Sequence, residues 1–171
     1  MKKIKAFIYF YFFIIVFVPL EAFSQDINSK KEFGEFESKY EESRAWARCS
    51  AAYLFYSEIL IEDKPATAKQ VKNLSNGAKL TSQVSIFLRS LGEDYSAEEL
   101  STAWSGAKLT SESDYEIAVT ALAAQFEESS STAIEELSSM LDVCSTGLKR
   151  QQAYVEAYRE MVSTGILVDG K

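Results

Sequence analysis

The chain contains no histidine, and that one absence removes much of the chemistry that helical proteins host. Di-iron sites built on Glu-x-x-His, haem held by an axial imidazole and zinc held by imidazole ligands all go. Serine and cysteine nucleophiles lose their usual base as well. Glycine is scarce at seven residues, and no phosphate-cradling Gly-rich loop, C-x-x-C-H or EF-hand spacing occurs. No cofactor, metal set or catalytic residue is therefore expected. Carboxylates remain plentiful, so a hydrolase or lyase working with carboxylates alone is the surviving enzymatic alternative.

Positive charge is also in short supply. The 18 Lys and Arg stand against 25 Asp and Glu, a net of −7, with no basic cluster to neutralise phosphates, which argues against nucleic acid as a partner. Proline occurs twice, at Pro19 and Pro65. With so few turn formers between long segments, helices are expected rather than a β-sandwich.

The first residues, MKKIKAFIYFYFFIIVFVPLEAFSQD, have the layout of an export leader: Lys2, Lys3 and Lys5, then uncharged Ala6 to Leu20, then small residues at Ala22 and Ser24. The apolar run is shorter than the ~20 residues a membrane span needs. Residues 1–24 are thus expected to be a cleaved signal peptide, leaving 25–171 as one domain with no stable membrane span. Cleavage removes three lysines and Glu21, so the exported protein is more acidic still.

Capping boxes place four helices. Ser29-Lys-Lys-Glu32 opens the first, which runs to about Ile61; Pro65 lies in the first turn of the second, which stops at Gly92. Ser96-Ala-Glu-Glu99 opens the third, which ends in Ser129-Ser130-Ser131, and Thr132-Ala-Ile-Glu135 opens a last helix to about Ser163. Apolar residues recur at steps of three and four along each: Trp46, Cys49, Tyr53, Tyr56 and Leu60 in the first, and Leu137, Leu141, Cys144 and Leu148 in the last. Short connections make neighbours antiparallel, so the expected fold is an all-α, up-down four-helix bundle.

The hexapeptide GAKLTS occurs at Gly77 to Ser82 and again at Gly106 to Ser111. Its Gly, Thr and Ser weaken a helix. Either the copies let helices two and three pack closely, or the second breaks helix three near 110–113, with Ser113-Asp-Tyr-Glu116 recapping it and raising the count to five.

Two cysteines are present. Cys49 and Cys144 each fall about 18 Å from the shared end of the first and last helices, on apolar stripes that face one another. A disulfide is expected, and its loop of roughly 95 residues carries an entropic stabilisation of about 4.6 kcal/mol. Redox catalysis would need closely spaced, exposed thiols.

Two further features bear on function. Glu127 and Glu128 face Glu135 and Glu136 across the serine loop, a weak acidic patch for a cation or basic partner. In AAYLFYSEILI, residues 51 to 61, Phe55 and Ile59 lie away from the Tyr53 and Leu60 stripe. That second apolar face is either covered by a neighbouring helix or tail, or an interface. The resulting expectation is an exported, periplasmic or extracellular, non-enzymatic bundle. It would act by binding another protein, a basic one or a second copy, as an inhibitor, immunity factor or envelope chaperone. A passive structural component of the envelope is the remaining alternative.

Overall fold

The computed structural model describes residues 33–63, 68–91 and 97–167. They form five helices: α1 Lys39–Asp63, α2 Ala68–Ser90, α3 Ala97–Glu128, α4 Ser130–Thr146 and α5 Leu148–Ser163. No strand occurs among the described residues, and no helix of theirs is long and apolar enough to cross a membrane. The expected leader at 1–24, the box at Ser29 and the turns at Pro65 and Ser96 lie outside the described residues.

The expected all-α bundle is present, but with five helices rather than four. The first does not extend back towards Ser29. Residues 33–38 are irregular and α1 starts at Lys39, capped by a different box. The Glu41 amide donates to Ser38 Oγ at 3.1 Å, and the Glu41 carboxylate turns back to accept from the Glu37 amide at 2.9 Å. The segment before the cap is held by tertiary contacts instead. Phe33 lays its ring 4.1 Å from that of buried Trp46, and its amide donates to Thr146 Oγ1 at 2.7 Å.

The extra helix comes from a break that falls elsewhere than expected. α3 runs unbroken through 110–113, so Ser113-Asp-Tyr-Glu116 caps nothing. The last helix begins at Ser130, ahead of Thr132, and divides at Gly147. A Cβ on Gly147 would stand 2.8 Å from Trp46 Cη2 and 2.9 Å from Phe33 Cγ, so the two rings occupy the space a side chain would need. The Gly147 amide closes the α4 end on the Cys144 carbonyl at 3.1 Å, and its carbonyl starts α5. The break turns Leu148 outward, 54% exposed, and the buried positions of α5 pass to Gln151 and Val155.

Gly147 has φ −82° and ψ −1°, which any residue tolerates. On propensity alone, Gly147→Ala should stabilise the helix by up to ~1 kcal/mol. Because the new methyl group strikes two packed rings, the expected result is a net loss of about 1–2 kcal/mol in urea melts. Gly106→Ala is the control. Nothing lies within 4 Å of its Cβ, so it should gain up to ~1 kcal/mol. Equal gains from both would show that the rings can yield.

Helix directions follow from paired contacts. Ser43 meets Ser85 and Ser50 meets Ala78, so α2 runs against α1. Arg44 meets Asp114 and Phe55 meets Phe126, so α3 runs with it. Cys49 and Cys144 are joined, with Cα atoms 5.8 Å apart, and both are fully buried. Their matched depth survives the shifted boundaries: from Cys49 to Asp63 and from Ser130 to Cys144 are each 14 residue steps. One core cluster surrounds the sulfurs with Trp46, Val84, Leu88, Val143 and Val155. A second lies further along α1, where Ala51, Ala52 and Ile59 meet Ala118, Leu122 and Leu137.

Candidate functional site

The core is unusually polar around the first turns of α1. Glu42 is only 7% exposed. A buried carboxylate is tolerated when it is paired and hydrogen-bonded, and here three groups converge on it. Arg150 Nη1 lies 3.4 Å from Oε1, Trp46 Nε1 donates to the same oxygen at 3.4 Å, and the Tyr154 hydroxyl donates to Oε2 at 3.0 Å. Arg150 also donates to the Gly34 carbonyl at 2.9 Å. One carboxylate thus ties α5 and the segment before α1 to the bundle.

Burial, then the charge and hydrogen bond of Glu42, push the Tyr154 hydroxyl up to about 12, with Arg150 pulling the other way. The unfolded chain gives up this proton near pH 10, while the folded chain keeps it until near 12. Between those values the unfolded state binds fewer protons, so stability falls as pH rises. Urea melts at pH 9 and 11 should show that decline, and Tyr154→Phe should make it shallower. An unchanged slope would disprove the coupling.

On the next face of the same turn, Ser43 Oγ donates to the Ser85 carbonyl at 2.7 Å and accepts from Arg89 Nε at 3.2 Å. Ser85 Oγ lies 2.7 Å from Ser111 Oγ. Arg89 pairs with Asp114 and sits 4.0 Å over the Tyr40 ring. These hydroxyls link α1, α2 and α3, and all three serines are buried. Their hydrogen bonds run to one another, to the Ser85 carbonyl and to the Arg89 guanidinium, which only donates.

The residues singled out from the sequence are not brought into a site. Ile59 is 8% exposed within the second core cluster, and Phe55 packs edge-on to Phe126 at 5.9 Å. The expected interface at Phe55 and Ile59 is therefore corrected: α3 and α4 cover the second apolar face of α1, which is central in the bundle. Glu127, Glu128 and Glu135 are exposed and Glu136 is half-buried. Among the described residues no three acidic, histidine or cysteine side chains come close enough to hold a metal ion.

The two GAKLTS copies differ in what they meet. In the first, Gly77 lies under the Tyr53 ring, whose atoms start 3.3 Å from where a Cβ would be, and Ser50 donates to the Ala78 carbonyl at 2.8 Å. Leu80 packs on the core beside them. This copy therefore receives α1, while from the second copy Ser111 reaches across from α3 to α2. In the second copy Gly106, Leu109 and Thr110 face outward, and Leu109 is 70% exposed, the most exposed large apolar side chain among the described residues.

Leu109 belongs to a longer stripe. Gly106, Leu109, Ser113, Ile117 and Thr120 follow at steps of three and four, so they share one helix face. All five are exposed and none carries charge. The sequence held the signal: Leu109 and Ile117 fall off the inward stripe through Ala107, Ala118 and Leu122. No family model, curated protein or solved structure matches this chain.

Proposed function

We propose that the protein is an exported, disulfide-stapled bundle that acts without catalysis, by binding another protein through the outer face of α3. The observation that carries this reading is Leu109, 70% exposed on an uncharged stripe that also exposes Ile117, because apolar side chains left exposed on one face are what interfaces are made from. The buried hydroxyls and ion pairs described above are all engaged in holding helices together, which supports a scaffold rather than a catalyst. Export is supported by the leader-like first 24 residues and by a disulfide, which persists where the surroundings are oxidising.

The test is capture by the oxidised protein from its own envelope extract, followed by calorimetry with the purified captured protein. Leu109→Glu should fold normally and bind at least tenfold more weakly. Equal affinity of the variant would move the interface off α3, and no saturable binding to any purified candidate would overturn the reading.

A further inference from the structure

The molecule shows what a GAKLTS helix face receives. At the first copy the Gly, Leu and Thr positions take an antiparallel helix, α1, with Gly77 under an aromatic ring, Leu80 on the core and Thr81 Oγ1 turned back to the Gly77 carbonyl at 2.9 Å. At the second copy Thr110 Oγ1 makes the same bond to the Gly106 carbonyl, also at 2.9 Å, yet Gly106, Leu109 and Thr110 are exposed. The hexapeptide and this hydrogen bond are the same in both copies, but α1 lies on the first and these positions of the second are exposed.

Three observations identify an occupant for them. The stripe is symmetric about Ser113: Leu109 and Ile117 lie four residues to either side, and Gly106 and Thr120 lie seven. An antiparallel second copy centred on Ser113 sets each Leu109 against the other's Ile117 and each Thr120 over the other's Gly106, where nothing obstructs a Cβ within 4 Å. Large meets large and small admits close approach. This self-complementarity is the requirement of a two-fold interface. Second, no residue of the stripe is charged, although exposed Glu112 and Glu116 flank it, so its centre matches an uncharged surface best. Third, from Gly106 to Thr120 is about 21 Å of helix, a short contact that suits a weak, reversible dimer rather than a permanent one.

We infer that the outer face of α3 is a homodimer surface, docking a second copy of the same face antiparallel about Ser113. The inference rests on the binding role given to α3 above and names its partner. Because two acidic copies repel through solvent, added salt strengthens the dimer, whereas it would weaken capture of a basic partner.

The experiment has two parts on the oxidised protein. Sedimentation from about 5 μM to 1 mM should show mass rising toward twofold, more steeply at higher salt, and Leu109→Glu or Ile117→Glu should shift the midpoint at least tenfold with no change in melting temperature. Ser113→Cys should cross-link to itself on mild oxidation. Gly106→Cys should not, but should link to Thr120→Cys when the two variants are mixed. Self-linking of Gly106→Cys as readily as Ser113→Cys would mean a parallel pair and overturn the register. A monomer at 1 mM in high salt would overturn self-docking. If that monomer still bound a purified partner in a Leu109-dependent way, the binding role of α3 would stand without it; if it bound none, both would fall.

Discussion

Replacing Cys49 and Cys144 together by alanine should lower the unfolding free energy by about 4–5 kcal/mol, mainly through the denatured chain. The bond joins positions 95 residues apart, and opening a loop of that size returns entropy to the unfolded ensemble. Both sulfurs are fully buried among Trp46, Val84 and Val143, so their loss also thins the first core cluster. A domain of this size is typically stable by 5–15 kcal/mol, which leaves the variant folded but close to its limit. The melting temperature should fall by roughly 10–20 °C, with helical circular dichroism preserved at low temperature. Each single replacement should be as damaging as the double, since either one opens the loop. A loss under 1 kcal/mol would show that the reduced chain is already constrained.

Asp114→Ala should cost about 3–5 kcal/mol, because it leaves the Arg89 charge buried without its carboxylate. The Arg89 side chain is 6% exposed, and its buried Nη1 has no hydrogen-bond partner among the described residues. Arg44 Nε, 3.9 Å from Asp114 on a well-exposed side chain, adds little, as surface pairs do. The diagnostic is the double variant Arg89→Met, Asp114→Leu. Removing both charges deletes the desolvation problem, so it should recover most of the loss. Failure to recover would mean that the bond from Arg89 to Ser43, rather than the ion pair, is what α2 needs.

Helix content and the disulfide could be read from the sequence because both depend on periodicity, which is local. Cys49 and Cys144 fall in step with Trp46 and Leu137, and two inward cysteines at equal depth have one geometric solution. Boundaries were less legible. Ser29 and Ser38 head equally good capping boxes, and the choice is made by Phe33, which packs on Trp46 and cannot do so from within a helix that continues backward. Gly147 sits in an unbroken apolar rhythm, and its need to be glycine comes from two rings 101 and 114 residues earlier. Phe55 and Ile59 left two readings open for a related reason. A helix with two apolar faces is either central or sticky, and pattern alone does not count its neighbours. The polar links had no signal, since Glu42 and Arg150 are 108 residues apart and Arg89 and Asp114 are 25.

The covalent ring closed by the two cysteines contains α2, α3 and most of α1 and α4. Two tails leave it from neighbouring roots: the chain before Cys49 and the chain after Cys144, which start 5.8 Å apart. Several of the contacts that fasten them join one tail to the other: Phe33 to Thr146, Gly34 to Arg150, Glu42 to Tyr154, Trp46 against Gly147. The sulfur bridge therefore acts on these contacts as a short tether, keeping each tail at a high effective concentration for the other. Reduction would dilute them at a stroke. The Glu42 cluster should thus respond to redox state.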